Sequence, residues 1–305
     1  MRLIPSIDEV NLQNSWVTIG VYDGVHRGHQ EILSRLTAGA HSMGAPAVVL
    51  TFEPHPAKVL SGREIRLLTT ADERASLLQA LDVDVLITEP FTLELSRVSA
   101  FDFVSRLKKY LDLRYLLIGY DFALGRGREG NASRLAEIGT ELGFVVEVVQ
   151  AVSDESGVIS STEIRKLVST GNVAEAATLL GHPYSLSGPV IHGDGRGHRI
   201  NIPTANVDYP RSKVIPANGI YACWAWLGQA KHRAMVNIGI NPTFTPDKRI
   251  PNIEAHLLDF DQKIYGQVLQ LDFIARLRDE LRFDSVQALI DQIQDDIRRG
   301  RLILV

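Results

Sequence analysis

The first 182 residues alternate short apolar runs with longer segments whose apolar residues recur at helical spacing. The runs are apolar almost throughout, which is typical of strands buried on both faces of a parallel sheet. They are VTIG, AVVLTF, DVLITEP, YLLIG and FVVEVVQ. Between them lie HQEILSRLTAGAHSMG, TADERASLLQALD, SAFDFVSRLKKYLDL and SRLAEIGTELG. This alternation predicts right-handed βαβ crossovers and an open parallel sheet covered by helices on both faces.

The pattern changes after a further predicted helix, STEIRKLVSTGNVAEAATLLG, with Gly181 as its C-cap and Pro183 just beyond. From YSLSGPVIHGDG to QVLQLDFIARLR, strand-like stretches are separated by clusters of Gly, Pro and Asn. That pattern predicts a small antiparallel barrel. The amphipathic segment SVQALIDQIQDDIRRG predicts a C-terminal helix on the barrel. We therefore predict two domains, residues 1–182 and 183–305.

Composition limits the class of protein. The 305 residues are 45% hydrophobic and 22% charged, as in soluble globular proteins. The net charge of −4 lacks the basic excess that is typical of nucleic-acid-binding proteins, so we expect no nucleic-acid partner. No apolar run reaches membrane-spanning length, and MRLIPSIDEVNLQ lacks the apolar core of a signal peptide. We expect a cytoplasmic protein with small-molecule partners and no membrane partner; the sequence does not indicate an oligomeric state.

Cys223 is the only cysteine. An internal disulfide and a zinc site of several cysteines are therefore excluded. It lies in the alternating stretch IYACWAW, which favours a small buried side chain.

The stretch GVYDGVHRGHQ follows the first predicted strand and contains His26 and His29. In open parallel sheets, ligands bind beyond the carboxyl ends of the strands. A zinc site would need another ligand, for which Asp23 and His55 are candidates, but the spacing is not that of helical HExxH. A tight strand-to-helix turn with incidental histidines is a second interpretation.

A phosphate site is the third interpretation of this stretch. Gly20, Gly24 and Gly28 let backbone N–H groups approach a ligand closely. The helix that begins near Gly28 offers its positive N-terminal end to an anion. Imidazole N–H groups could stabilise charge that develops on phosphorus. The phosphate interpretation fits the glycines better than the metal interpretation does.

The HxGH of this stretch resembles the signature of the nucleotidyltransferase superfamily, and GVYDGVHRGH resembles its flavin adenylyltransferase branch. TFEPHP, LIGYDFALGRGREGN and ISSTEIR resemble further motifs of that branch, in the same order. The resemblance covers roughly residues 15–182 and implies a Rossmann-like nucleotidyltransferase domain. It implies that FMN attacks the α-phosphorus of ATP while His26 and His29, as catalytic residues, stabilise the transition state.

The resemblance also implies the binding residues of this domain. ATP would be bound by Gly20, Asp23, Gly24, His26, His29, Ser160, Ser161, Thr162 and Arg165. The flavin side would be formed by Phe52, Pro54, His55 and Asp121, and Asp121 would also handle metal. Judged alone, Ser160 with Glu163 also fits a capping box. Asp121 could be a turn residue and His55 a loop histidine. Tyr22, Tyr120 and Leu124 depart from the usual Phe, Glu and Phe.

In the second half, GPVIHGDGRGHRINIPTANVD resembles the riboflavin kinase motif that ends in PTAN. VIPANGIYAC, VNIGINPTF and IEAHLLDFDQKIYG follow in that family's order, so the resemblance covers roughly residues 183–305. No Walker A sequence occurs. The glycine-rich HGDGRG could cradle phosphate with backbone amides, or form a hairpin loop.

The kinase resemblance implies its own site residues. ATP would be bound by Gly193, Gly195, Gly197, Thr204 and Asn206. Thr204 and Asn206 would hold Mg²⁺, and Glu254 would be the catalytic base toward the ribityl hydroxyl. Without the resemblance, Thr204 and Asn206 fit a capped turn after Pro203, and Glu254 fits solvated surface. His198 and Asn201 depart from the more common Arg and Gly.

Together the two motif sets resemble the bifunctional riboflavin kinase/FMN adenylyltransferases of the bacterial FAD synthetase family. The fold class implied is α/β, a Rossmann-like parallel-sheet domain followed by an antiparallel β-barrel with a C-terminal helix. The function implied is phosphorylation of riboflavin to FMN and adenylylation of FMN to FAD and pyrophosphate, with ATP and Mg²⁺. Two alternatives are an enzyme with only one activity and a flavin-binding regulator whose motifs are idle.

Overall fold

The computed structural model describes residues 1–154, 157–193, 202–240 and 251–305. Contacts divide the chain into two compact units, Met1–Ser161 and Thr162–Val305. The domain boundary that the sequence predicts, between residues 182 and 183, stays a prediction. Across the described ranges no helix combines the length and apolar character that a membrane crossing needs.

The first unit contains a six-stranded parallel sheet, which confirms the predicted Rossmann-like class. Its strand order is β1-β4-β3-β2-β5-β6. The strands are β1 (Arg2–Ile4), β2 (Trp16–Ile19), β3 (Ala47–Glu53), β4 (Val85–Pro90), β5 (Tyr115–Gly119) and β6 (Val145–Val149). Strand β1 was not predicted, because three residues at the sheet edge leave no recognisable apolar run.

Five helices connect these strands. They are α1 (Arg27–Ser42), α2 (Pro56–Ser61), α3 (Ala71–Gln79), α4 (Ala100–Leu111) and α5 (Ala132–Leu142). A capping box of Thr70 and Glu73 starts α3, and the Ser99 side chain caps α4. Two short strands, β7 (Ser153–Asp154) and β8 (Gly157–Val158), pair just before the end of the unit.

Helices cover both faces of the sheet, as the apolar strands predict. On β5, Leu116 and Ile118 join the core beneath α4 and α5, whereas Leu117 joins the core beneath α1 and α3. This division follows from the two-residue period of a strand, which turns neighbouring side chains to opposite faces. Burial of both faces is the main force that holds the sheet together.

The strand order places a topological switch at β2. From β2 the chain continues to β3 on one side, and β5 pairs with β2 on the other. The carboxyl ends of β2 and β5 therefore border the crevice where ligands bind in open α/β sheets. The HxGH stretch follows β2, and Asp121 follows β5.

The single helix predicted over residues 161–181 is wrong. The structure has two helices there, α6 (Ser161–Ser169) and α7 (Val173–Leu180). Gly171 between them has a φ of +86°, and a Cβ at Gly171 would lie 2.9 Å from the Arg276 side chain. The break thus depends on a close approach within the second unit. Gly181 caps α7 in the left-handed conformation, with φ 78°, as predicted.

The second unit contains a closed antiparallel barrel, which confirms the predicted architecture. Its strand order is β10-β13-β12-β11-β14-β9. The strands are β9 (Tyr184–Ile191), β10 (Ala205–Val207), β11 (Gly219–Leu227), β12 (Ala230–Ile240), β13 (Pro251–Leu257) and β14 (Val268–Arg278). The C-terminal helix α8 (Val286–Ile303) is joined to β14 by the buried Asp296, which accepts hydrogen bonds from the Arg278 guanidinium.

Candidate active sites

His26 and His29 lie at the start of α1. His26 is the N-cap residue, its side chain makes no capping hydrogen bond, and His29 is in the first turn. The two rings are stacked, with centroids 3.7 Å apart and planes 19° apart. Burial, and then the positive charge of His26, keep the pKa of His29 well below its usual value. His29 is therefore neutral at pH 7 and can donate one N–H to an anion.

The stacking argues against the metal interpretation. Nitrogen lone pairs lie in the plane of an imidazole, so two nearly parallel rings face to face do not converge on one ion. Within the described residues, no group of three His, Cys, Asp or Glu side chains could hold a metal ion. The near-parallel stacking of the two rings is the observation that speaks against the metal interpretation.

The turn between β2 and α1 is tight, as one interpretation of the sequence expected. Tyr22, Gly24 and Val25 all have a positive φ, of 53°, 82° and 41°. Positive φ is rare for tyrosine and valine, so buried contacts must hold this conformation. The Tyr22 ring lies 4.9 Å from the His29 ring, centroid to centroid, and a Cβ on Gly20 would meet the Tyr22 ring at 2.9 Å. Gly20 is thus required by close packing.

Asp23 is buried, with 2% of its surface exposed, and its carboxylate binds a neighbouring segment of the chain. It accepts hydrogen bonds from the backbone N–H of Leu68 and Thr69 and from the Thr69 hydroxyl, at 2.9–3.2 Å. Gly24 N–H in turn donates to Thr69 Oγ1 at 3.0 Å. The Asp23 side chain therefore fixes the turn from behind, and its predicted contact with ATP stays a prediction.

A cavity of about 190 Å³ brings several of the predicted residues together. It is lined by His26, Gly28, His29, Ile32, Gly119, Tyr120, Asp121, Val149, Gln150, Ala151, Val152, Val158, Ile159, Ser160 and Ser161. The Ser161 hydroxyl donates to the backbone oxygen of Asp23 at 2.9 Å, which ties the last residue of the first unit to the histidine turn. Thr162 and Arg165 lie on α6 in the second unit, and their assignment to ATP stays a prediction.

A larger and mainly apolar cavity of about 680 Å³ lies beside the same sheet edge. It is lined by Ile19, Gly20, Val21, Phe52, Pro56, Leu60, Phe91, Leu95, Ser96, Val98, Phe103, Asp121, Phe122, Ala123, Leu124, Gly125, Gly127 and Arg128. Phe52 and Phe91 meet edge to face, with centroids 5.4 Å apart. Asp121 lines both cavities, so the two meet at its position.

The assignment of Pro54 and His55 to the flavin stays a prediction. Among the described residues that line the apolar cavity, neither Pro54 nor His55 is present. His55 is the N-cap of α2, where its Nδ1 accepts a hydrogen bond from Ala57 N–H at 3.1 Å. Phe91 was missed, although its position directly after β4 puts an aromatic ring at the sheet edge where ligands bind.

In the second unit, Glu254 lies on β13 between two asparagines on neighbouring strands. It pairs in register with Asn206 of β10 and with Asn237 of β12. Directly opposed residues of antiparallel strands have their side chains on the same face. Asn252, two residues before Glu254, donates from Nδ2 to Glu254 Oε1 at 2.8 Å and to Asn206 Oδ1 at 2.9 Å. Asn252 was missed, because the pattern of β13 alone does not show which side chains it would bridge.

A cavity of about 600 Å³ lies beside the segment that carries Thr204. It is lined by Val190, Pro203, Thr204, Ala205, Ala255, His256, Leu257, Asp259, Phe260, Asp261, Gln262, Lys263, Ile264 and Tyr265. A hydrogen bond of 2.8 Å between His256 Nδ1 and the Pro203 oxygen holds the segment that carries Thr204.

The predicted glycine-rich phosphate loop is described only at its start. Gly193 packs against Asn206, since a Cβ on Gly193 would meet the Asn206 amide at 2.1 Å. Gly195, Gly197, His198 and Asn201 lie outside the described residues. Their predicted roles therefore stay predictions.

Two family models match the chain, one to each set of motifs. The model described as FAD synthetase matches residues 8–163, and the model described as riboflavin kinase matches residues 180–304. The matched ranges contain the histidine turn and the Asn206–Glu254 pair, respectively.

Curated relatives match nearly the whole chain. A bifunctional riboflavin kinase/FMN adenylyltransferase of Listeria monocytogenes is 36% identical over 95% of this chain and 92% of its own length. The protein of the same name from Escherichia coli is 35% identical over 97% of this chain and 95% of its own. A crystal structure of a Streptococcus pneumoniae protein named macrolide-efflux protein has a TM-score of 0.91 at 31% identity, covering 98% of each chain. From these matches, the chain belongs to the family of bifunctional riboflavin kinase/FMN adenylyltransferases.

Proposed function

We propose that this chain makes FAD in two ATP-dependent steps, one in each unit. The second unit phosphorylates riboflavin to FMN, and the first unit transfers AMP from ATP to FMN and releases pyrophosphate. The observation that carries the adenylylation step is the position of Asp121. It lines both the small cavity of the stacked histidines and the larger, mainly apolar cavity of Phe52 and Phe91.

Two adjoining cavities of this kind suit a reaction that joins two phosphates. The aromatic lining of the larger cavity suits an isoalloxazine ring, and its volume is within the usual range of ligand pockets. The smaller cavity offers imidazole N–H groups, Ser160 and Ser161 to the phosphates of ATP. No protein nucleophile is needed, because the FMN phosphate itself attacks the α-phosphorus. His26 and His29 supply positioning and stabilise the developing charge.

The kinase step needs a base and a phosphate site on the barrel. Glu254 is proposed to take the proton of the ribityl 5′-hydroxyl as that oxygen attacks the γ-phosphorus of ATP, and ADP leaves. Thr204 at the cavity wall and Asn206 beside Glu254 are proposed to face the ATP phosphates. The cavity beside the Thr204 segment is proposed to hold ATP.

The oxygen ligands near each site fit Mg²⁺ carried mainly by ATP. Mg²⁺ is usually bound by one or two protein oxygens together with phosphates and water. Asp121 in the first unit, and Thr204 and Asn206 in the second, are proposed as those oxygens. Among the described residues, no group of three His, Cys, Asp or Glu side chains could hold a metal ion. When bound, the ion would neutralise phosphate charge and orient the transferred group.

Separate assays of the two steps test this proposal. FMN formation is measured from riboflavin and ATP, and FAD formation from supplied FMN and ATP. We expect Glu254→Ala to abolish FMN formation and leave adenylylation of supplied FMN unchanged. We expect His29→Ala to do the reverse.

The outcomes separate the proposal from its alternatives. Equal loss of both activities in either variant would contradict separate sites. If the unmodified chain makes FAD from supplied FMN but no FMN from riboflavin, it is an enzyme with a single activity. If it makes neither product but binds flavin, it is a regulator.

A further inference from the structure

We infer that Asn252 is a positioning residue of the kinase site, which holds Glu254 and Asn206 together through one amide group. The inference rests on the proposed function, in which Glu254 is the base and Asn206 faces the phosphates. Asn252 Nδ2 lies 2.8 Å from Glu254 Oε1 and 2.9 Å from Asn206 Oδ1. Both distances are those of good N–H···O hydrogen bonds.

The chemistry of the three groups fixes the direction of these bonds. An ionised carboxylate only accepts hydrogen bonds, so the atom of Asn252 that faces Glu254 must be the amide nitrogen. An NH₂ group has two protons, and each reaches one of the two acceptors. The Asn206 amide is therefore held with its oxygen toward Asn252. One residue thus fixes the orientation of both side chains.

The strand register brings the three side chains of this bridge together. Asn252 shares the face of Glu254 because side chains alternate along β13. Its register partner on β12 is Gly239, and the Glu280 carboxylate lies where a Gly239 side chain would stand, 2.1 Å from the position of its Cβ. From the other side Gly193 packs against the Asn206 amide. Asn206 is therefore enclosed between Gly193 and Asn252.

The bridge has an electrostatic consequence for the base. A donor bonded to a carboxylate stabilises its charged form, so Asn252 favours the ionised Glu254 that can accept a proton. Two titratable groups near this face are His256, two residues after Glu254 on β13, and Glu280, whose carboxylate lies at the Cβ position of Gly239.

The test compares Asn252→Asp with Asn252→Ala in FMN formation. Asp has nearly the shape of Asn, but its carboxylate oxygens would face the Glu254 and Asn206 oxygens, which are themselves hydrogen-bond acceptors. Ala removes the contact altogether. We expect kcat for FMN formation to fall by about tenfold or more in the Ala variant, and to fall further in the Asp variant. The acid limb of the kcat–pH profile should move to higher pH in both variants, because the charged form of Glu254 loses a hydrogen-bond donor. The KM for riboflavin should change little, and adenylylation of supplied FMN should be unchanged.

A matched control is available in the same barrel. Gln270 donates to Asp272 Oδ1 at 2.9 Å, also from two residues earlier on an antiparallel strand. Gln270→Glu should leave the FMN-forming profile unchanged. If the Asp variant does not fold, the pH profile of the Ala variant and a partial rescue by Asn252→Ser, which keeps one donor, decide the question.

The results distinguish the role of Asn252 from the role of Glu254. If Asn252→Asp proves milder than Asn252→Ala, or the acid limb does not move in either variant, Asn252 only fills space and the inference is overturned. If Glu254→Gln retains FMN formation, the proposed base itself is wrong, whatever the Asn252 variants do.

Discussion

The Tyr22 hydroxyl lies 2.6 Å from Thr18 Oγ1, and both groups are buried. Thr18 donates its only hydroxyl proton to the backbone oxygen of Leu117 at 2.8 Å, so the Tyr22 hydroxyl must be the donor to Thr18. Burial also raises the pKa of Tyr22, which keeps its proton in place. The tyrosine that departs from the usual phenylalanine is thus bound to a partner on β2.

This pairing predicts non-additive effects on stability. Tyr22→Phe should lower the free energy of unfolding by about 1 kcal/mol, because it removes one hydrogen bond. Thr18→Val should cost about 1–3 kcal/mol, because it leaves the buried Tyr22 hydroxyl without its acceptor. The double variant should be more stable than the sum of the single losses implies. Urea unfolding of the four proteins measures this coupling.

Tyr22→Phe keeps the ring beside His29, so adenylylation of FMN should stay close to its original rate. Strict additivity of the two substitutions would show that the hydroxyl pair is not an energetic unit. A large loss of kcat in Tyr22→Phe would instead give the hydroxyl a part in the reaction.

The lowered pKa of His29 predicts how the free energy of unfolding of the first unit depends on pH. Its pKa is lowered when folded, mainly by burial, so the unfolded chain takes up a proton near pH 6.5 that the folded chain does not. The unfolded state binds more protons below that pH, and the free energy of unfolding must fall as the pH falls. The slope from one such group reaches at most about 1.4 kcal/mol per pH unit.

Urea unfolding of the wild type and of His29→Gln, from pH 7.5 to pH 5.0, checks this expectation. Gln cannot titrate, so the stability advantage of the wild type should shrink steadily below pH 6.5. A difference that stays constant over the whole range would refute a buried neutral His29.

Local patterns were enough to predict the two architectures and the position of the histidine turn. Continuous apolar runs and helical spacing are properties of neighbouring residues, so they can be read along one chain. The break at Gly171 could not be predicted, since it depends on the approach of Arg276 from β14. The bridge from Asn252 to Asn206 likewise needs the register of β10 against β13, which strand patterns alone do not determine.

The buried Asp23 is expected to act through the fold. Asp23→Asn should weaken the first unit by about 1–3 kcal/mol, because the amide NH₂ would face the backbone donors of Leu68 and Thr69. Adenylylation should fall as the turn loosens, while FMN formation by the second unit should persist. Unfolding measurements and the two separate assays record these effects.

Thr69→Val is the matched variant for this prediction. Thr69 was not predicted to contact ATP, but its hydroxyl bonds both Asp23 and Gly24 N–H. If Asp23 works through the fold, Thr69→Val should impair the same activity in the same direction. An impaired Asp23→Asn beside an unaffected Thr69→Val would favour direct contact of Asp23 with ATP.

The close packing of Gly193 against Asn206 predicts that Gly193→Ala loses kinase activity while the barrel stays folded. A Cβ at Gly193 would meet the Asn206 amide at 2.1 Å, so Gly193→Ala must displace that side chain. FMN formation should fall by about tenfold or more, since small misplacements of site residues are costly. The free energy of unfolding should change by about 1 kcal/mol or less, because a side chain can move more easily than packed backbone.

Gly188→Ala on β9 provides the comparison. There a Cβ would lie 1.9 Å from the backbone oxygen of Asp208, so the strand itself must shift. We expect this variant to lose stability as well as FMN formation, which urea unfolding and the kinase assay record together. Full FMN formation in Gly193→Ala would show that Asn206 can move without loss of function, and would remove the support for its predicted contact with the ATP phosphates.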